Sequence, residues 1–250
     1  MKPKQLKTRM RAEFLYDLGR LRQVLADKGV LHVVRKATAL LLDPLICQYK
    51  KRFTPPGQFS LDDNSYQYFF HRYNRTWANE RSVEVPIALK FIQENSHKRI
   101  LEVGNVLSHY FPICYDVLDK YESVSGVINQ DILEYEPSKG FDLIVSISTL
   151  EHVGWDEKDR DPNKIIQAVE KMTGWLNPGG KLVVTLPIGY NSDMDQNLDS
   201  EKLSFQKQFY LKRINSENRW EETTWNEIRN VRYADPFPGA NALVIGINEN

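Results

Sequence analysis

The sequence predicts an α/β fold: a mainly parallel sheet with helices on both faces and a helical extension before it. Three observations support this prediction. Short apolar runs at 100–103, 141–147 and 181–186 have the composition of buried parallel strands. Segments with helical spacing of apolar residues alternate with these runs, and a late apolar run at 242–247 follows them.

Composition and charge exclude several classes of protein and partner. The 250 residues are 41% hydrophobic and 26% charged, as in an ordinary globular protein. Basic and acidic residues balance at 33 each, so we expect no nucleic-acid partner. Cys47 and Cys114 are the only cysteines, which predicts no metal site, no disulfide framework and a reducing compartment. No secretory signal or membrane-spanning run is evident, so the predicted location is the cytoplasm.

The predicted first domain, residues 1–53, is a basic helical arm. Residues 1–52 hold 13 basic and four acidic side chains. Phe14, Leu18, Leu21 and Leu25 have the spacing of an amphipathic helix, and a second such pattern runs from Val30 to Leu41. Two interpretations stay open. The arm packs on the body or on a second subunit as a homodimer, or it makes a peripheral contact with an anionic membrane surface.

Residues 54–82 form the predicted second segment, an aromatic-rich linker or lid. It begins at the turn-forming run Thr54–Gly57 and contains the densest aromatic cluster of the chain. Polar side chains lie among these aromatics, as a ligand-covering lid requires. The polar side chains are Asn74, Arg75, Asn79, Glu80 and Arg81. The third domain, 83–250, begins with a helix that has Pro86 in its first turn.

The first strand of this domain ends at Gly104 and has an acid, Glu102, near its end. Only one helical turn fits between Gly104 and Pro112, and no second glycine follows, so a dinucleotide fingerprint is absent. Residues 116–119 form a short strand that ends in Asp119. A third strand covers 124–129, and in an alternative register this run is the second strand, which puts Asn129 in place of Asp119.

The remaining elements follow in order. A strand at 141–148 leads into Thr149–Val153. Asp161 and Pro162 are predicted to begin a helix whose core face is Ile165, Val169, Met172 and Leu176. The run 177–180 ends that helix, and a strand follows at 181–186. The stretch with Trp220 and Trp225 is expected to be helical or irregular before the last strand.

Three motifs in this order resemble the class I methyltransferases that use S-adenosylmethionine, and most closely the type 11 methyltransferases. The motifs are Leu101-Glu102-Val103-Gly104, the run from Phe141-Asp142-Leu143-Ile144 to Ser148-Thr149-Leu150-Glu151-His152-Val153, and Leu176-Asn177-Pro178-Gly179-Gly180-Lys181-Leu182. The resemblance covers about residues 83–190. It implies a Rossmann-like, seven-stranded sheet and methyl transfer to a small-molecule, sugar or lipid-linked acceptor at oxygen or nitrogen.

The resemblance also implies cofactor-binding residues. Glu102 and Gly104 would line the amino-acid end of S-adenosyl-L-methionine, and Asp119 would accept the ribose hydroxyls. Asp131 and Ile132 would contact the adenine, and Ser148 would lie along the sulfonium. A competing interpretation makes Asp119 and Asp131 ordinary acids of surface turns. The missing second glycine is a departure from the family pattern.

The acceptor side is predicted at the rim beyond the fourth strand. His152 is a candidate base, because an imidazole exchanges protons near neutral pH; a structural role is the alternative. Candidate acceptor contacts are Glu151, Trp155, Tyr190 and Asn191.

Two other functions compete with methyl transfer. One is a catalytically inactive protein of this fold that acts as a membrane or partner adaptor through its basic arm. The other is an enzyme for nicotinamide or nucleotide-sugar cofactors, which the absent phosphate-binding glycines disfavour.

Overall fold

The computed structural model describes residues 45, 48, 49, 52 and 57–250. The strands are β1 (Gln58–Leu61), β2 (Asn64–Gln67), β3 (Ile100–Val103), β4 (Asp116–Leu118), β5 (Val127–Ile128), β6 (Phe141–Ile147), β7 (Leu176–Pro187), β8 (Lys207–Arg213), β9 (Trp220–Thr223) and β10 (Ala242–Glu249). The helices are α1 (Arg81–Glu94), α2 (Lys164–Gly174), α3 (Ser192–Asp199) and α4 (Trp225–Ile228). Short 3-10 helices lie at Tyr73–Ala78, Leu107–His109 and Leu150–His152.

The central sheet has the strand order β5-β4-β3-β6-β7-β10-β8-β9. Strands β5, β4, β3, β6 and β7 are parallel neighbours, whereas β10 runs antiparallel to both β7 and β8. The prediction of a mainly parallel α/β sheet is therefore confirmed, with an eighth strand, β9, added at the edge beside β8. Strand β4, and not the run 124–128, is the neighbour of β3, so Asp119 follows the second strand.

Helices cover both faces of this sheet, as predicted. On one face α2 and α3 pack on a core that includes Leu101, Ile144 and Val184. On the other face, α1 and the hairpin of β1 and β2 pack over strand residues whose side chains point away from the first core. These are Leu143, Val145, Val183, Leu243 and Ile245. Successive side chains of a strand point to opposite faces of the sheet. Both sets are apolar here, because both faces are covered.

Helix α1 begins five residues before Pro86, so the prediction that places Pro86 in the first turn is wrong. An internal proline removes the N–H that would bond to the carbonyl four residues earlier. That carbonyl belongs to Ser82, and it accepts the Phe69 N–H at 2.8 Å instead. The segment before the helix thus satisfies the carbonyl that the proline leaves free.

Three further boundaries differ from the sequence prediction. Helix α2 begins at Lys164, because Asp161 accepts the Asn163 N–H and forms a turn before the helix. Leu176 belongs to β7, and residues 177–180 are an irregularity in that strand: Phe141 pairs with Leu176, but Leu143 pairs with Lys181. The stretch expected to be helical or irregular contains the strands β8 and β9.

The backbone contacts divide the chain into Met1–Pro55 and Pro56–Asn250. Apart from residues 45, 48, 49 and 52, the predicted helical arm lies outside the described residues, and so does Cys47. The division into 1–53, 54–82 and 83–250 stays a prediction. Within the described part of the chain, no helix has the length and apolar character needed to cross a bilayer.

Candidate active site

The residues singled out from the sequence lie at or after the carboxyl ends of β3, β4, β5, β6 and β7. From β3 the chain continues outward to β4 and β5, and it later returns to place β6 on the other side of β3. Ligands of open α/β sheets bind outside the carboxyl ends of the strands at such a reversal. The crevice between the ends of β3 and β6 is therefore the candidate site.

Glu102 shapes the turn that follows β3. Its side chain is fully buried, and its Oε1 accepts the N–H groups of Val106 and Leu107 at 2.8 and 2.7 Å. Its Oε2 accepts the Tyr115 hydroxyl at 3.2 Å. Burial raises the pKa of Glu102 to about 7, although the two backbone N–H groups and Tyr115 oppose that rise. Glu102 thus stabilises the short 3-10 helix that replaces a glycine-rich loop.

Gly104 and Thr149 meet across the crevice. Gly104 has a φ of 86°, which favours glycine, and a Cβ there would lie 2.1 Å from the Thr149 Oγ1. The Thr149 hydroxyl donates to the Ile147 carbonyl at 3.0 Å. The neighbouring Ser148 has a φ of 35°, an unusual conformation for a residue other than glycine. Such strain concentrates at functional sites, and here it falls at the end of β6.

Asp119 lies directly after β4 and caps two turns. Its Oδ2 accepts the Asn105 N–H at 3.0 Å, and its Oδ1 accepts the N–H groups of Tyr121 and Glu122 at 2.8 Å each. The Asn105 side chain donates to the Glu122 carboxylate, which also contacts His109 at 3.2 Å. The half-buried Asp119 carboxylate therefore joins the ends of β3 and β4, where a ribose would be expected.

Asp131 takes part in a network of four charges. Its Oδ2 lies 2.8 Å from both Lys120 and Lys164, and both lysines also pair with Glu157. Burial tends to raise the pKa of Asp131, but the two lysines outweigh it and hold that pKa at about 2. The adjacent Ile132 is buried in the core. Asp131 is thus ionised and close to the surface.

Ser148 belongs to a buried polar cluster between α1, β6 and β7. Its hydroxyl donates to the Glu84 Oε1, which also accepts the Thr185 hydroxyl at 2.7 Å. The other oxygen of Glu84 pairs with the Arg81 guanidinium. Glu84 is fully buried, so these three partners compensate for the loss of its hydration.

Glu151 and Glu80 add two carboxylates to this cluster. Both are buried, and the charge of Arg81 interacts with each of them. The Glu80 Oε2 accepts the Ala240 N–H at 2.9 Å, whereas the Glu151 Oε2 is buried without a hydrogen-bond partner in the described part of the chain. Burial raises the pKa of both carboxyls, and Glu84 adds to the rise.

His152 lies at the rim of the site, and one of its ring nitrogens contacts a carboxylate. Its Nδ1 contacts the Asp156 Oδ2 at 2.5 Å, and its Nε2 lies 3.6 Å from the Glu151 Oε1. The Tyr190 hydroxyl donates to the same Asp156 oxygen at 2.7 Å. Burial favours a higher pKa for Asp156, but the His152 and Tyr190 hydrogen bonds lower it. The ring of Tyr190 packs edge-to-face on His152 and on Tyr233.

The two remaining predicted acceptor contacts lie beside this group. Asn191 is buried, donates to the Glu151 carbonyl at 2.8 Å, and caps the first turn of α3. Trp155 stacks under the Arg160 guanidinium at 3.6 Å. Asn191 therefore positions the Glu151 backbone, and the partly exposed Trp155 lies outside the buried cluster.

Three further residues of the site, Glu84, Thr185 and Tyr233, were not predicted from the sequence. A signal for Glu84 was present, since an acid between Val83 and Val85 interrupts an apolar run three residues after Arg81. No comparable signal marks Thr185 or Tyr233, because each joins the cluster only through the folding of distant segments.

Comparisons with known proteins find only solved structures of low sequence identity and low structural similarity. No family model matches the sequence, and no curated protein matches it. Among solved structures, the N-methyltransferase NodS from Bradyrhizobium japonicum WM9 is 17% identical with a TM-score of 0.38, over 67% of this chain and 96% of that one. An rRNA methylase from Streptococcus thermophilus is 11% identical with a TM-score of 0.40, over 66% and 96%. At these scores the similarities carry no argument about the activity, cofactor or acceptor of this chain.

Proposed function

We propose that this chain is an S-adenosyl-L-methionine-dependent methyltransferase for a small-molecule, sugar or lipid-linked acceptor. One observation supports the proposal above the others. Two of the three motifs that carry the sequence resemblance, and the acids that follow β4 and β5, end at the same edge of a sheet that reverses its strand order between β3 and β6; the third motif begins β7 at the opposite edge. An edge with this order is where such a fold binds a ligand.

The residues at this edge fit the cofactor. Asp119 is half-exposed, and its Oδ2 accepts one N–H, which leaves capacity for a ribose hydroxyl. Asp131 is ionised and pairs with two lysines, and its carboxylate would accept a hydrogen bond from the amino group of adenine. The turn held by Glu102 brings the Gly104 backbone to the crevice, where Ser148 also lies. Rotation of the Thr149 side chain would open the space over Gly104.

The chain's own residues would position the acceptor and move a proton. The bound cofactor supplies a methyl group on a positively charged sulfur. His152 would act as the base through Nε2, because Asp156 holds the Nδ1 side of the ring. Glu151, Trp155, Tyr190 and Asn191 would border the acceptor, hold the reacting atoms in line and help to exclude water. A cytoplasmic location, a membrane contact of residues 1–53 and a homodimer stay predictions.

Calorimetric titration of S-adenosylmethionine and S-adenosylhomocysteine into the full chain tests this proposal. We expect binding by the wild type and a loss of at least about tenfold in affinity for Asp119→Asn, because the amide removes the charge that accepts ribose hydroxyls. The matched control is Asp116→Asn, at the opposite end of β4, where Asp116 forms a partly exposed ion pair with Arg99. Absence of binding to the wild type would contradict the proposal, and equal losses in both variants would remove Asp119 from the site.

A further inference from the structure

The buried cluster at the ends of β6 and β7 has an excess of acidic groups. Glu80, Glu84 and Glu151 are all less than a tenth exposed; the charge of Arg81 interacts with all three, and the charge of the buried Arg213 interacts with Glu80. Although burial alone lowers the pKa of Arg81, the surrounding carboxylates raise it, so the guanidinium stays charged. These two guanidiniums leave a fully ionised set of three carboxylates one positive charge short.

Glu151 is the member of the cluster with unused hydrogen-bonding capacity. Only 3% of its side chain is exposed, and its Oε2 has no hydrogen-bond partner among the residues that the structure describes. Glu84, by contrast, accepts from Ser148 and Thr185 and pairs with Arg81. A buried carboxylate oxygen without a donor is costly, so an unpaired one at a candidate site indicates a missing ligand donor.

Aromatic rings stand beside this carboxylate. His152 lies within 3.6 Å of Glu151, and Tyr190 packs on His152 with ring centroids 4.8 Å apart. Tyr233 packs on Tyr190 at 5.2 Å, and the charges of Glu80 and Glu151 both raise the pKa of Tyr233, after burial. A carboxylate next to aromatic faces is the environment that an organic ammonium prefers.

We infer that Glu151, together with Tyr190 and Tyr233, binds the ammonium group of a methyl acceptor, so that the acceptor atom is an amine nitrogen and not a hydroxyl oxygen. The ammonium hydrogens donate to the free Oε2 of Glu151. The positive charge offsets the excess of carboxylates around Arg81. A hydroxyl would supply a donor but no charge, and an anionic group would be repelled.

This inference rests on the proposed methyl transfer, and it assigns the proton steps. The bound ammonium gives one N–H proton to Nε2 of His152 and becomes a neutral amine. The nitrogen lone pair forms the new N–C bond while the C–S bond of the sulfonium donor breaks and its electron pair stays on sulfur. The product is a methylated ammonium, a neutral thioether and a protonated His152, which returns its proton to water.

A binding experiment tests the ammonium site separately from methyl transfer. Propylammonium and 1-propanol, which differ at one polar group, are titrated into the full-length wild type and followed by NMR. We expect propylammonium to bind at least about tenfold more tightly than 1-propanol. Nuclear Overhauser contacts from its methylene protons to the rings of Tyr190 and Tyr233 should locate it in the wild type itself.

Two variants locate the charge that is responsible. Glu151→Gln keeps the volume and removes the charge, so the preference for propylammonium should be lost. Asp142→Asn is the control, because Asp142 lies at the start of β6, away from this cluster, where it accepts the Arg99 N–H and the Asn177 side chain. The preference of this variant for propylammonium should equal that of the wild type. Equal binding of the two probes by the wild type, contacts to other rings, or an equal loss in both variants would overturn the inference. S-adenosylhomocysteine binding is measured on the same samples, so that failure of the cofactor site is recognised separately.

Discussion

Glu102, a buried residue near the end of β3, makes the stability of the protein depend on pH. Its folded-state pKa is raised from 4.5 to about 7, so folding favours the protonated form. The unfolded chain releases this proton at lower pH than the folded chain does. The stability linked to Glu102 is therefore complete below pH 4.5 and is lost as the pH rises through about 7, on the order of 3 kcal/mol.

Glu102→Gln should remove this contribution while keeping the shape of the side chain. We expect the free energy of unfolding, measured in urea at pH 5 and pH 7.5, to fall less with pH in the variant than in the wild type. A slope remains, because burial also raises the pKa of Asp195, to about 7. Glu217→Gln, at an exposed position, is the control and should follow the wild type. An unchanged slope in Glu102→Gln would show that Glu102 does not titrate in this range.

The sequence identified Glu102 and His152 as residues of interest but could not give their contacts. Glu102 was assigned to the cofactor by resemblance, and in the structure its oxygens accept from the turn and from Tyr115. The Glu84 cluster escaped prediction for a physical reason. Glu84 and Thr185 are 101 positions apart in the chain. A local sequence pattern cannot predict a hydrogen bond between a helix and a strand at that separation.

At the scale of elements, Glu84 fastens α1 to the sheet. Its carboxylate connects the helix to Ser148 after β6 and to Thr185 in β7, while pairing with Arg81 on its own helix. Glu84→Ala would leave a buried guanidinium and two hydroxyls without their acceptor. We expect a loss of about 3–5 kcal/mol in the free energy of unfolding.

Urea unfolding followed by circular dichroism measures this loss. Glu94→Ala, on the exposed part of the same helix, is the matched control and should change stability by less than about 0.5 kcal/mol. A small effect of Glu84→Ala would indicate that α1 is held by its apolar contacts alone, through Val83 and Ile87.

Strands made of apolar residues were predictable from the sequence, and strands that also carry charged residues were not. The runs that became β3, β6 and β10 are buried on both faces, so composition alone marks them. Strand β8 carries Lys207, Lys212 and Arg213, and it pairs with the short edge strand β9. Charged residues and partial exposure conceal such strands, which is why this stretch was expected to be helical or irregular.

At the scale of the whole molecule, the packing of the β1–β2 hairpin determines where the α/β domain begins. Phe59, Leu61 and Tyr66 are buried in one cluster with Trp220 and Leu243. Burying three such side chains contributes roughly 5 kcal/mol, a large share of a typical domain's stability. The sequence placed the domain boundary at residue 83 because the run at 54–57 and the aromatic cluster suggested a separate linker or lid.

Two truncations decide between a lid and a part of the domain. We expect 57–250 to unfold in urea with one cooperative transition, and 83–250 to be less stable by several kcal/mol, because it exposes Trp220 and Leu243 and lacks the first residues of α1. Equal stability of the two truncations would establish residue 83 as the boundary and leave the hairpin free to move as a lid. A less stable 83–250 would mean that any movement over the site is confined to the segment between β2 and α1, whose Phe69 and Tyr73 rings pack on Tyr110 in the turn after β3.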